Sequence, residues 1–258
     1  MLNDKYTIIE YINSGNYGKI YKANINNKIV VLKESTNLNE IKYEANVYND
    51  LLCVKNISKL LDFFSLNNKH YLVLDFYDKT LDNYKLTKFN SINYFENILI
   101  IFKKLYSTLS YIHDNNYIHR DLKPSNICLN NQDEPFIIDF GLSKKYIINN
   151  KHIECKKIKT IIGSYAFCSS NVENLMEPSR RDDLESLFYV VIYCFIKKEL
   201  EYELMNVKKN FSKFKNFLSN EYIKYYNNFE KLLNYFKKMS FTQKPNYIYL
   251  IDLLDVIE

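Results

Sequence analysis

The chain has 258 residues, 47% of them hydrophobic and 25% charged, a composition that fits a globular unit with a large core and excludes a disordered or fibrous protein. Its net charge of +5 is spread through a sequence rich in Lys, Asn, Ile and Tyr, with no evidently basic face, so nucleic acid is not expected as a direct ligand. The longest apolar run, Leu187 to Ile196, has ten residues, against the roughly 20 that a membrane span needs, and reads as a buried helix.

Cys53, Cys128, Cys155, Cys168 and Cys194 are odd in number, dispersed, and form no C-x-x-C pair. This argues against a disulfide framework or zinc site and for a reducing, cytoplasmic setting. Met1 to Lys5 lacks the apolar core of a signal peptide.

In chain order, β-type runs come first: Tyr6–Ile9, Lys19–Ala23 and Lys28–Leu32, separated by Gly and Asn turns, predict a small antiparallel sheet. Between the first two runs lies Asn13-Ser14-Gly15-Asn16-Tyr17-Gly18-Lys19-Ile20. Gly15 and Gly18 would let backbone N–H groups approach phosphate oxygens with no Cβ in the way. Lys33 ends the third strand, and Ile41, Ala45, Tyr48 and Leu52 then recur at helical spacing. Glu44, on the edge of that face, is the expected partner of Lys33. Glu40 competes, but it falls near the helix start, where the helix dipole already accounts for a carboxylate. Tyr71–Leu74 reads as a buried strand, and the polar chain after Asp75 as a hinge.

Beyond the hinge the pattern is helical. Ile98, Ile101, Phe102, Leu105, Leu109 and Ile112 form one stripe, ended by Asp114-Asn115-Asn116. Leu184 to Ile196 is apolar almost all round, as a central helix would be, and Asn228–Met239 and Tyr247–Ile257 are amphipathic. The expected fold class is α+β, with residues 1–77 as a small sheet-and-helix lobe and 78–258 as a larger, mainly helical lobe.

The most specific stretch is His119-Arg120-Asp121-Leu122-Lys123-Pro124-Ser125-Asn126, with Asp139-Phe140-Gly141 placed so that its Asp follows Asp121 by 18 residues. Asp121 would take the proton of a substrate hydroxyl, Lys123 would neutralise a moving phosphoryl group, and Asn126 and Asp139 would hold Mg²⁺. At the base-binding end Ile12, Ile20 and Val31 should form a roof, with Cys128 and Ile138 beneath. Leu74 should stand at the back beside Asp75 to Tyr77.

These motifs resemble those of the eukaryotic protein kinases, over Tyr6 to about Leu254. The usual Ala-Pro-Glu is absent; Gly163 to Ser170 followed by Ser179-Arg180-Arg181-Asp182-Asp183-Leu184-Glu185-Ser186-Leu187 is similar to the casein kinase I group, and Lys244-Pro245-Asn246-Tyr247 to its vaccinia-related and poxvirus branch. The resemblance implies a bilobal kinase fold, ATP and Mg²⁺ as cofactors, and Ser/Thr protein substrates, acidic or already phosphorylated. It also implies no need for activation-loop phosphorylation, and a monomer is expected. Asp183 would anchor the catalytic loop, and Ser164 would hydrogen-bond near Asp121 and Lys123. With the A/T-rich composition it suggests a viral, insect-poxvirus source and a host cytoplasmic location.

Arg180 and Arg181, with Lys156, Lys157 and Lys159, are a candidate substrate anion site; the alternative is that Arg181 pairs with Asp182, Asp183 or Glu185 to fix the helix start. Asn13 stands where the family has its first loop glycine, and the stretch from Lys33 to Glu44 is short. The competing functional classes are a pseudokinase binding module and a small-molecule phosphotransferase.

Overall fold

The computed structural model describes residues 2, 5–15, 18–197 and 223–255. Five strands, β1 (Thr7–Gly15), β2 (Gly18–Ile25), β3 (Lys28–Ser35), β4 (Leu60–Leu66) and β5 (Lys69–Asp75), form an antiparallel sheet in the order β1-β2-β3-β5-β4. Helix α1 (Leu38–Asp50) packs against β4 and β5. The turns Asn26–Asn27 and Asn67–Asn68 have both central residues at positive φ, between +48° and +64°. This is the turn whose twist matches the flanking strands, and Asn tolerates it. Strand alternation then divides the sheet: Val30 and Leu32 join Tyr6, Ala23 and Val73 in a small core on one face. On the other face Ile20 lies opposite Lys33, and Val31 opposite Leu74. That second face looks into the cleft.

Two expectations need correction here. Strand β4 was not anticipated, although Asn67–Asn68 between two apolar runs is a hairpin signal. Leu52, assigned to the buried helical stripe, is 64% exposed, because α1 stops at Asp50 and the chain turns away. Ile41, Ala45 and Tyr48 are buried as expected.

After the hinge come β6 (Lys79–Thr80), α2 (Leu81–Lys88), α3 (Tyr94–Asp114) and β7 (Tyr117–Ile118), then β8 (Ile127–Leu129), β9 (Pro135–Ile137) and β10 (Lys144–Lys145). The short hairpin β11 (Ile147–Ile148) and β12 (Lys151–His152) turns at Asn149–Asn150. Helices α4 (Ser170–Glu173), α5 (Arg180–Phe195), α6 (Ile223–Lys238) and α7 (Tyr247–Asp255) follow. The six apolar residues of the α3 stripe are all at most 2% exposed, and from Leu184 to Phe195 only Ser186 and Tyr193 are not fully buried. At about 1.5–3 kcal/mol for each large apolar side chain removed from water, α3 and α5 carry much of the core of the large lobe. The last expected helix agrees over Tyr247–Asp255; its end at Ile257 lies outside the described residues. Among the described residues no helix is long and apolar enough to cross a membrane.

The chain has four glycines, Gly15, Gly18, Gly141 and Gly163. Elsewhere left-handed backbone is taken mostly by asparagine: Asn56 and Asn116 as well as the three Asn-Asn turns.

Candidate active site

The catalytic loop runs from β7 to β8 and ends in a 3-10 turn, Pro124–Asn126. Its start is fixed from below by Asp183, a fully buried carboxylate in the first turn of α5. Asp183 accepts the backbone N–H groups of His119 at 2.7 Å and Arg120 at 2.8 Å, and His113 Nε2 lies 2.9 Å away. Burial pushes its pKa up, but these partners, His113 foremost, outweigh burial and hold it below the usual carboxylate range. Arg120 is thereby held at φ +70°, a conformation a non-glycine residue adopts only when its surroundings compel it.

Asp121, 7% exposed, has both carboxylate oxygens engaged. Oδ1 accepts the Ser164 N–H at 2.8 Å and the Ser164 hydroxyl at 2.7 Å; Oδ2 accepts Lys123 Nζ at 2.8 Å and Asn126 Nδ2 at 3.1 Å. The Ser164 contact depends on Gly163, at φ +82°, where an added Cβ would lie 2.3 Å from the Arg120 carbonyl oxygen. The Asn126 amide nitrogen also bonds the Asp121 carbonyl at 2.9 Å, which leaves the amide oxygen as the atom able to face a cation. The Ile138 N–H donates to the Asn126 carbonyl at 3.0 Å, so Asn126 and Asp139 are carried on loops tied together.

Lys33 Nζ lies 2.7 Å from Glu44 Oε2 and 2.7 Å from Asp139 Oδ1. Of the two carboxylates offered by the sequence, Glu44 makes the pair, while Glu40 is exposed in the first turn of α1, its N–H taken by the Asn37 cap. Burial alone would lower the pKa of Lys33, but the two carboxylates more than reverse this and the ammonium is kept. Glu44 is pushed up to about 7 by burial, in spite of Lys33, and its Oε1 has no hydrogen-bond partner among the described residues. For Asp139 burial is outweighed by Lys33, and its pKa is lowered.

Ile12, Ile20, Val31 and Leu74 all lie on strands of the sheet. Ile20 and Val31 are half-buried, Leu74 is buried behind them, and Ile12 is exposed on β1. Gly15 pairs with Gly18, whose φ is +124° and where a Cβ would overlap the Glu34 carbonyl; Asn16 and Tyr17, the tip of this hairpin, lie outside the described residues. Asn13 accepts the Ser14 N–H through its own side chain at 2.8 Å. Below, Cys128 is buried, its thiol pKa pushed up to about 12 by burial, and Ile138 is half-buried. At the hinge Asp75 pairs with Lys28 at 2.9 Å, and the Tyr77 ring stacks on Phe136 with centroids 4.5 Å apart.

The run Ser179 to Leu187 ties α5 to several segments. Asp182 takes the Ser169 hydroxyl at 2.6 Å and caps its own helix through the Ser179 N–H at 2.7 Å. Glu185 receives Ser170, Tyr189 and Lys237. The expected anion site at Arg180 and Arg181 is not formed. Arg180 is 8% exposed, donates to the Thr242 carbonyl at 2.6 Å and the Tyr146 hydroxyl at 3.2 Å, and lies over the Tyr146 ring. Arg181 donates to the Met239 carbonyl at 2.7 Å and lies 3.7 Å from Asp182. The carbonyls of the segment after α6 draw both guanidiniums inward, whereas Lys156, Lys157 and Lys159 remain exposed.

The sequence reading missed several groups that shape the site: Tyr48, whose hydroxyl accepts the Asp139 N–H; His113, which joins Asp183 to the Tyr247 hydroxyl; and Glu177, a buried carboxylate on Lys144 at 2.6 Å. Backbone bonds from Glu177 N–H to Lys156 and from Ile158 N–H to Leu175 hold the activation segment against this carboxylate's own loop.

Lys33, Glu44 and Asp139 meet on one side and Asp121 and Asn126 on the other, on loops tied through the Ile138 N–H, an arrangement suited to phosphoryl transfer. The chain belongs to the protein kinase family: the protein kinase domain matches residues 6–247. It is 30% identical to a probable casein kinase I homolog of Encephalitozoon cuniculi, over a 275-residue alignment covering 98% of this chain and 84% of that protein. Kinase domains generally use ATP and Mg²⁺. The donor set suits that cation, since an amide oxygen and a carboxylate, with Asp139 still 32% exposed beyond its bond to Lys33, are hard ligands of the kind Mg²⁺ takes.

Proposed function

We propose that the protein is an active Ser/Thr protein kinase that transfers the γ-phosphate of ATP to protein hydroxyls, with Lys33, Asp121, Asn126 and Asp139 as its working groups. The observation that carries this reading is the assembled state of the polar set: the Lys33–Glu44 pair is closed at 2.7 Å while Asp121 is held by Ser164, Lys123 and Asn126. A binding module without turnover would have no use for a carboxylate so oriented. When bound, ATP would supply the phosphoryl group and Mg²⁺ would offset its negative charge. Lys33, oriented by Glu44, would bind phosphate oxygens, and Asn126 and Asp139 would hold the cation. Asp121 orients the attacking hydroxyl and accepts its proton, and Lys123 meets charge on the transferred group. Backbone groups of residues 75–77 would bind the base between Val31 and Ile138.

The exposed Lys156, Lys157 and Lys159 beside the substrate segment support acidic or phosphorylated protein substrates. The Leu122-Lys123-Pro124 stretch and the named relative support Ser/Thr specificity. The vaccinia-related branch, the viral source, the monomeric state and the cytoplasmic location rest on the sequence features given above. Incubating the purified protein with Mg-ATP and mixed acidic and basic protein substrates, then mapping phosphosites by mass spectrometry, tests the proposal. Phosphoserine and phosphothreonine that vanish with Asp121→Asn are expected; Mg-ATP binding without transfer to any protein would overturn it in favour of a pseudokinase.

A further inference from the structure

Asp139 has φ +65°, a left-handed conformation uncommon outside glycine, asparagine and aspartate, and its carboxylate faces Lys33. The residue is fixed through the peptide unit that joins it to Ile138. The carbonyl of that peptide lies 3.1 Å from His119 Nε2, and its N–H donates to the Tyr48 hydroxyl at 3.1 Å. Since His119 Nδ1 accepts the Asp121 N–H at 3.2 Å, Nε2 carries the proton and donates to the carbonyl. One peptide is thus held at both polar ends, by the catalytic loop on one side and by α1 on the other, and rotating it would break both bonds.

The same two side chains flank Phe140: Tyr48 and His119 meet its ring edge-on, with centroids 5.1 Å and 5.0 Å away. A leucine or phenylalanine at position 48 could fill this apolar space. Neither could accept an N–H. Tyr48 is 1% exposed, and burial, with the charges of Glu44 and Asp139, holds its phenol neutral, so a hydroxyl here is unfavourable unless it is used. It lies one helical turn after Glu44 on α1.

We propose that the Tyr48 hydroxyl is a positioning group for Asp139: by accepting its N–H, it makes the helix that carries Glu44 also set the orientation of the cation-binding carboxylate. Both carboxylates on Lys33 are then placed by one turn of α1. The inference rests on the reading of Asp139 as a Mg²⁺ ligand.

Tyr48→Phe keeps the ring and removes only the acceptor. In the nucleotide-free protein, amide hydrogen exchange at Asp139 should speed up about tenfold or more, as expected when a buried donor loses its partner, while α1 amides stay within about twofold. Affinity for a fluorescent ATP analogue should lose about five- to tenfold of its Mg²⁺-dependent gain, with affinity in EDTA unchanged within about twofold. Unchanged exchange at Asp139 would overturn the inference and leave the Mg²⁺ reading intact. Equal loss with and without Mg²⁺ would make Tyr48 merely structural and also overturn it. A wild-type protein with no Mg²⁺-dependent gain would overturn the reading of Asp139, and the inference with it.

Discussion

The Ser164 hydroxyl donates to Asp121 Oδ1 at 2.7 Å, and the Ser164 N–H donates to the same oxygen at 2.8 Å, so the loop at Gly163–Ser164 and the Asp121 carboxylate are locked to each other. Asp121→Asn turns one of the two acceptor ends of the side chain into a donor, which cannot meet the Ser164 donors or the Lys123 and Asn126 donors that the carboxylate accepts. Phosphotransfer should fall by about 10²-fold or more, with nucleotide affinity nearly unchanged. Steady-state kinetics beside equilibrium ATP binding separates the two; a parallel loss of binding would mean that Asp121 supports the fold of the cleft.

Gly163→Ala tests the hinge of that lock. With φ at +82° and the new Cβ 2.3 Å from the Arg120 carbonyl, the backbone must move, carrying Ser164 off Asp121. A destabilisation of about 1–3 kcal/mol is expected, together with a fall in kcat larger than the change in KM for ATP. Thermal melting and kinetics on the same preparation check both, and a variant with wild-type kcat would show that the close approach is dispensable.

Glu44 makes the nucleotide-free protein sensitive to pH near neutrality. Its pKa is raised from 4.5 in the free side chain to about 7 in the fold, so the folded state binds the proton more tightly. The resulting stability is fully present below about 4.5 and is lost as pH rises through about 7. The melting temperature of the parent should therefore drop between pH 6 and pH 8 by about 2–4 °C more than that of Glu44→Gln, which has no such proton to lose. Parallel melting curves across this range would contradict the assignment.

Arg180 is a structural arginine. Arg180→Ala removes the bond to the Thr242 carbonyl and the stacking over Tyr146. It should destabilise the protein by about 1–3 kcal/mol. KM for a phosphorylated peptide and for its unphosphorylated twin should change alike; a selective rise for the phosphorylated peptide would return Arg180 to the substrate site.

The candidate site was legible because its groups are close in sequence: the Asp121, Lys123 and Asn126 run is nearly local, and Asp139 follows two short strands later. Strands β1, β2, β3 and β5 and the α3 and α5 helices were legible from period and length, whereas β4 and the short strands β6 to β12 were not. What escaped depends on distant partners. Tyr48 looks like any aromatic on a buried helical stripe, and the use of its hydroxyl appears only when Asp139, 91 residues on, is brought beside it. Arg180 and Arg181 read as solvent-facing because a charge pattern carries no information about burial, and the carbonyls that receive them come from about 60 residues further along. Glu177 gave no signal at all, since its partner Lys144 is one lysine among many.

The distribution of glycine and asparagine separates two demands that positive backbone angles usually conflate. Hairpins at 26–27, 67–68 and 149–150 need only the dihedral angle, which asparagine supplies. Gly18 and Gly163 need the angle and also the absence of a side chain, because another backbone passes where the Cβ would be; Gly141 is crowded by the carboxylates of Glu44 and Asp139. Substitution tolerance should therefore be asymmetric: replacing a turn asparagine with glycine alters only the entropy of the unfolded chain, whereas replacing any of these three glycines with asparagine strikes the catalytic cleft directly. In a chain of 258 residues that uses glycine only four times, the glycines alone trace the outline of the active site.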